Sequence, residues 1–427
     1  MTVSHYSQRT QRGYSSSHPY SRSDTPLRRS TVDQKCIEIN KKIIGLREAS
    51  DFFAIWDRSQ NNFNCVNLAT FMNRLSKQKI FKDTRKELSL VVDEVAKKLL
   101  SNDTDRLKEC TTQHLADLVN GYAKLGIEKR ALFDAISDEL LARKSEKLKK
   151  CTTQELANLV NGYAKLGIEK RALFDAISDE LLARKSEKLK ECNTQDLANI
   201  AWAYAMLAFL NGQLFSSILS QLNEQIQKNK NTFEREALQQ IQQVWLSMKY
   251  ESYEPSVSHL TWSPELVKAC SLVEKDEHIS QLQKDVYTAL KKNEDIEEEK
   301  NINGLVVDIA FKNKKCVIEV NGPSHYLDNT HDLNSKSKFK YRLLEKMGYT
   351  VTEIPYWEWA KLKNAQEKVE YMLREHLKSS TKAKNALQAA SLQKQPLEAL
   401  PQESGKREKI EATTAAYELE DGEILES

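Results

Sequence analysis

CTTQHLADLVNGYAKLGIEKRALFDAISDELLARKSEKLKK (residues 110–150) is followed at once by CTTQELANLVNGYAKLGIEKRALFDAISDELLARKSEKLKE (151–191). Across 41 columns the two differ only at His114/Glu155, Asp117/Asn158 and Lys150/Glu191. A third copy begins at Cys192 and drifts, yet the apolar pattern keeps step. Leu115, Leu156, Leu197 and Leu238 form one series, and Leu118, Leu159, Ile200 and Ile241 another. Tyr122, Tyr163, Tyr204 and Trp245 form a third. NLATFMNRLSK (67–77) is a weaker relative at irregular spacing, so 35–109 reads as a degenerate repeat region ahead of regular repeats over 110–250. A period of this length marks stacked supersecondary units.

Each unit reads as two helices. Thr111 or Thr112 caps the first, whose stripe is Leu115, Leu118 and Tyr122. Gly126 breaks it, and Ala131, Leu132, Ala135, Ile136, Leu140 and Leu141 line the second. One hairpin cannot bury its own apolar face, whereas stacking buries it against its neighbours, so the array is expected to be an α-solenoid.

The opposite arc of the first helix is polar. Gln113, Asp117, Asn120 and Lys124 follow one another around it. The second unit offers Gln154, Asn158, Asn161 and Lys165, and the third Gln195, Asn199, Trp202 and Met206. Amides carry both a donor and an acceptor and can read base edges, while lysines meet phosphates. Trp202 is expected to pack between helices rather than stack on a base. The differences at 114/155 and 117/158 fall near this arc, where they would alter base preference or record drift on an exposed face.

The rest of the chain sets bounds. It has 427 residues, 29% charged and 40% hydrophobic, with a net charge of only +3. That sum hides segregation, since 401–427 carries eight acids against three bases. Residues 1–34 are rich in Ser, Arg and Tyr and are expected to be a disordered basic tail, similar in composition to an organellar transit peptide. Residues 379–427 read as a low-complexity acidic tail. No apolar run is long enough to span a membrane, and the N-terminus lacks the apolar core of a secretory signal. Seven cysteines occur with no CxxC pair, which suggests free thiols in a reducing compartment and no zinc site.

From about residue 278 the pattern changes to an α/β module over 278–378. A helix is expected over 278–292, strands over 305–311 and 316–320, a basic amphipathic helix over 333–347, a strand over 349–354 and a last helix over 360–377. Asp308 and Glu319 stand on adjacent short strands, where two carboxylates can converge on a hard metal ion. Asn321 and His325 follow, His325 as a candidate base, with Glu298 or Glu299 as a further carboxylate. Lys336, Lys338, Lys340, Arg342 and Lys346 crowd one helix, and Lys338 and Arg342 share a face that would dock an RNA backbone or solubilise the helix.

Asp308 with Glu319-Val320-Asn321 resembles the PD-(D/E)xK nuclease core, in which two acids hold Mg²⁺ and a lysine orients water. Here Asn321 stands at the third position and no lysine replaces it in the motif. IEVNGPSHY (318–326), a basic helix and MGYTVTEIPYWEW (347–359) resemble a RAP domain, with its core at about 303–362. The family pattern usually has Asp where this chain has Asn321, which weakens metal-dependent cleavage. The repeats are similar to the octotricopeptide-type repeats that precede RAP domains. The resemblance implies a multidomain chain: an α-solenoid of helical hairpins followed by a small restriction-endonuclease-like α/β domain.

It further implies binding of single-stranded RNA in RNA processing, stability or translation, in a mitochondrion or chloroplast, or in the cytoplasm of a bacterium. No cofactor is expected. The alternatives are a Mg²⁺-dependent endoribonuclease using Asp308, Glu319 and His325, and a scaffold that binds protein partners through the solenoid.

Overall fold

The structure is a computed structural model. It describes residues 31–375 except 80–83, 102–105, 144–147, 185–188, 190–191, 210, 230–232, 252–259, 273–278, 292–293, 329 and 373. The tails expected at 1–34 and 379–427 fall outside these residues, apart from 31–34. The helices are α1 (Thr31–Gly45), α2 (Ala49–Ser59), α3 (Cys65–Leu75), α4 (Arg85–Leu100), α5 (Arg106–Glu109), α6 (Thr112–Leu125), α7 (Arg130–Ala142), α8 (Thr153–Lys165) and α9 (Arg171–Ala183). Then come α10 (Thr194–Met206), α11 (Gly212–Lys228), α12 (Arg235–Tyr250), α13 (Pro264–Ser271) and α14 (Gln281–Lys291). The C-terminal module adds β1 (Ile296–Ile302), β2 (Leu305–Phe311), β3 (Cys316–Asn321), α15 (Ser335–Lys346), β4 (Thr350–Pro355) and α16 (Tyr356–Trp359).

The repeats stack as hairpins. The first helices α3, α6, α8, α10 and α12 pack one on the next, and α4, α7, α9, α11 and α13 form a second row behind them. Each start is fixed by a cap. Thr111 accepts from the His114 amide and Thr152 from the Glu155 amide, each with the reciprocal side-chain bond, and Asn193 accepts from the Asp196 amide. Each hairpin is then tied to its predecessor by a buried tyrosine. Tyr122, Tyr163 and Tyr204 donate to the carbonyls of Val92, Phe133 and Phe174 at 2.8, 2.7 and 2.6 Å. Donors and acceptors both step by the repeat period, so one bond recurs in three places, each contributing about 1 kcal/mol. Arg143 and Arg184 likewise reach the carbonyls of Leu107 and Leu148 at 2.6 and 2.7 Å.

Glycines set how closely the first helices approach. A methyl group on Gly162 would lie 2.4 Å from Val119 Cγ1, and one on Gly121 3.0 Å from the Met72 carbonyl. Gly126 and Gly167 end α6 and follow α8 with φ of +69° and +68°. The third unit puts Ala208 at the same place with φ 55°, a left-handed conformation that costs a non-glycine residue.

The sheet has strand order β1-β2-β3-β4, antiparallel up to β3 and parallel between β3 and β4. The acidic strand β1 was not anticipated, because Ile296–Ile302 (IEEEKNI) has no apolar run. Val317 on β3 joins Phe339, Leu343 and Leu344 of α15 in the core continuous with the array. Ile318 and Val320 point the other way, into a second core with Val286, Leu290, Ile354 and Trp359. The last helix, expected over 360–377, starts only at 365, after the short α16.

Helix array and sheet module pack as one unit. Arg342 donates to the carbonyls of Ala205 and Met206 at 2.6 and 2.8 Å and pairs with Glu251 at 2.5 Å. The Asp328 amide donates to the Gly126 carbonyl at 3.1 Å, and Gln242 donates to the Asn303 carbonyl at 2.7 Å.

Two substitutions test this packing. Gly162→Ala should lower stability by roughly 1–3 kcal/mol, because Val119 and the helix behind it must move. Ala208→Gly should raise it by about 1 kcal/mol by relieving the left-handed residue. Urea denaturation of the two variants beside the parent measures both.

Candidate nucleic-acid interface

The polar arc lies along the row of first helices, and much of it is bonded to itself. Asn73 donates to Asp117 at 2.7 Å and Asn161 to Asn199 at 3.4 Å. Both bonds run from the Asn120 column of one unit to the Asp117 column of the next. Gln195 and Gln240 both donate to Asn199, at 3.1 and 3.0 Å, and Gln195 also donates to Gln240 at 3.0 Å. Trp202 is buried, as expected, and its indole N–H donates to Gln243 at 2.6 Å. Gln113, Gln154 and Lys124 are exposed, Asn120, Asn158 and Lys165 half-buried, and Asn161 buried. The bonding leaves buried acceptors without a partner, namely Asn73 Oδ1, Asn161 Oδ1 and Gln195 Oε1. Such atoms are costly unless something supplies a donor. Burial raises the Asp117 carboxyl above its usual range.

At the C-terminal ends of α6 and α8 the arc opens into a cleft of about 930 Å³ between the array and the sheet module. Lys124 and Lys165 line it from the array and Lys336 from α15. Burial holds both Lys124 and Lys165 below the ordinary lysine range, with Lys77 adding to it at Lys124 and Lys124 and Lys336 at Lys165, while Glu236 opposes the shift at both. The one carboxylate among the lining residues, Asp328, is paired with Arg85 at 3.3 Å. The far wall is aromatic. Tyr356 is 37% exposed, and His331 stacks on Trp357 with centroids 4.0 Å apart and planes 12° from parallel. Lys338 is exposed on α15, while Arg342 is engaged by Glu251 and the array's carbonyls, which removes it from the RNA-facing role expected of it.

The carboxylate site differs from the expectation. Strands β2 and β3 pair only at Ile309↔Ile318 and Ala310↔Val317. Where they part, Asp308 accepts from the Val320 amide at 2.6 Å. Glu319, 1% exposed, is held by Lys340 at 2.5 Å. This lysine comes from α15 rather than from the strand. Nothing in the linear spacing links it to Glu319. Asn321 donates to Tyr341 at 2.6 Å and to Glu353 at 3.1 Å, and Tyr326 also donates to Glu353 at 2.6 Å. Burial and the nearby Lys340 and Lys336 push the His325 imidazole down to about 4, so it is neutral and a poor base near pH 7. Its Nδ1 faces Ser337 Oγ at 3.2 Å.

This donor set does not fit Mg²⁺. One carboxylate is tied to a backbone amide and the other to an ammonium, and among the described residues no three His, Cys, Asp or Glu side chains cluster to hold a metal. The geometry describes a buried polar network that fixes α15 on the sheet.

Two outcomes follow. Lys340→Met should cost on the order of 3 kcal/mol by stranding a buried carboxylate, and Lys340→Met with Glu319→Leu should recover most of it. Denaturant titration of single and double variants reads this directly. The His325 folded value lies below its usual 6.5, so the unfolded chain binds more protons between about 4 and 6.5. Stability should be full above that window and decline as pH falls through it, with an NMR midpoint for His325 near 4.

Comparison with known proteins agrees with this division of the chain. The RAP domain pattern matches residues 318–375, so the chain carries a RAP domain. The pattern of the RNA-editing substrate-binding complex 6 protein matches residues 62–249, the helical repeats. A chloroplastic RAP domain-containing protein of Oryza sativa subsp. japonica is 30% identical over 77 residues, 18% of this chain and 12% of its own length. The mitochondrial FAST kinase domain-containing protein 3 of Homo sapiens is 35% identical over 68 residues, 16% of this chain and 10% of its own. The matched stretches thus span about a tenth of each relative.

Proposed function

We propose that this RAP-domain chain binds single-stranded RNA along its row of first helices and in the cleft that the RAP domain closes over them. It would act in post-transcriptional RNA metabolism: processing, stability or translation. The carrying observation is the cleft, in which Lys124, Lys165 and Lys336 converge beside an aromatic wall with no free carboxylate among the lining residues. Ammonium groups meet phosphates, and aromatic faces accept unpaired bases without regard to sequence. The exposed amides of Gln113 and Gln154 continue the surface as hydrogen-bonding partners for base edges. The match of the repeats to a family named for RNA editing, and of the C-terminus to RAP proteins, supports the same reading. The chloroplastic and mitochondrial relatives favour an organelle as the place of action. No helix of the described residues is long and apolar enough to cross a membrane.

Fluorescence anisotropy with single-stranded RNA, and with a duplex of the same sequence, tests this across a range of KCl. The single strand should bind more tightly, with log K falling linearly in log salt. Lys124→Ala with Lys165→Ala should flatten that slope by about 1.4, from roughly 0.7 per phosphate contact. Absence of salt-dependent RNA binding would refute the reading.

A further inference from the structure

We propose that the cleft between the array and the RAP domain is an end-binding pocket, in which Lys124, Lys165 and Lys336 hold the terminal phosphomonoester of a single-stranded RNA. This rests on the RNA-binding reading and adds which part of the strand the cleft takes.

The first argument is charge. The three lysines come from three elements, α6, α8 and α15, and none makes an ion pair with a described residue. Together they form a cluster of positive charge that Glu236, and for Lys124 also Asp117, offsets from a distance without closing an ion pair. An internal phosphodiester brings one negative charge and two free oxygens. A terminal monoester brings nearly two charges near pH 7 and three strong acceptor oxygens. Three ammonium groups, each a compact point charge with three donors, match the second better. Burial depresses both Lys124 and Lys165, with Lys77 adding to it at the first and Lys124 and Lys336 at the second, and an anion in the cleft offsets this.

The second argument is enclosure. The RAP domain touches the array on both flanks of the lysines. On one side the Asp328 amide bonds the Gly126 carbonyl, two residues beyond Lys124, and Asp328 is pinned by Arg85. On the other side Gly167, two residues beyond Lys165, lies so close to α15 that a methyl group there would sit 2.8 Å from Ser335 Oγ. For a strand lying along the row of first helices, these two contacts flank the depth at which the lysines sit. Such a strand can enter there as an end. Tyr356, exposed at the rim, is placed to stack the terminal base.

Either end of an RNA carries this chemistry after suitable cleavage, so the test separates them. Short internally labelled RNAs of one sequence would carry a 5′-phosphate, a 3′-phosphate or hydroxyls at both ends, with a circular form as a fourth arm. Anisotropy with the full chain should show one phosphorylated linear form binding about tenfold more tightly than the hydroxyl form, the size of one charge-assisted set of hydrogen bonds. The circle should bind no better than the hydroxyl form. Lys165→Gln and Lys336→Ala should each remove the phosphate preference, so that in the variant the phosphorylated and hydroxyl forms bind alike. Lys336 is exposed and its removal leaves the core untouched, so a thermal melt that matches the parent guards against misfolding. Equal affinity of all four RNAs, with salt dependence retained, would overturn the end pocket and leave the RNA reading standing. Loss of binding to every RNA would overturn both.

Discussion

One guanidinium makes several of the bonds that join the helix array to the sheet module. Arg342 takes two carbonyls from the end of α10 and the carboxylate of Glu251, whose side chain is 5% exposed. Arginine suits this place because its planar fork satisfies several acceptors at once and keeps its charge. The α15 helix, dense in lysine, thereby lies across the C-terminal ends of the first helices, where unpaired carbonyls and the helix dipoles carry partial negative charge. The cleft depends on that docking, to which the shared apolar core and the Asp328 and Gln242 contacts also contribute. Without it, Lys336 would not face Lys124 and Lys165.

The array supplies what the docking needs, a regular set of ends. One period places Tyr122, Tyr163 and Tyr204 against preceding carbonyls, Gly126 and Gly167 at helix ends, and Lys124 and Lys165 side by side. Packing regularity and functional regularity share one cause, since residues that step by the period face the same way in every unit. The cost of the third unit's drift is visible at Ala208, which takes the left-handed conformation without being glycine.

Much of this was legible in the sequence, for identifiable reasons. The tandem copy fixed the hairpins, their caps and their apolar stripes, and the string from Ile318 to Trp359 marked the RAP domain. Strand β2, strand β3 and helix α15 followed from local periodicity. The acidic strand β1 did not, because its pairing with β2 rather than an apolar pattern makes it a strand. Helical spacing put Gln113, Asn158 and Lys165 on one arc, yet it could not show that Asn73, Asp117, Asn161 and Asn199 bond across units. The pairing of Lys340 with Glu319 and of Arg342 with Glu251 spans 21 and 91 residues, distances over which spacing carries no information. Those two contacts place the carboxylate in a buried network and Arg342 in a docking clamp, while Lys336 of the same helix lines the cleft.

The central claim is that RNA lies on the first-helix row and in the cleft. Photocrosslinking the intact chain to a thiouridine-bearing single-stranded RNA, with mass-spectrometric mapping of the modified residues, addresses it most directly. Adducts are expected on the polar arc of α6, α8 and α10 and on the cleft wall around His331 and Tyr356. Adducts confined to the outer helices α4, α7, α9 and α11 would contradict it.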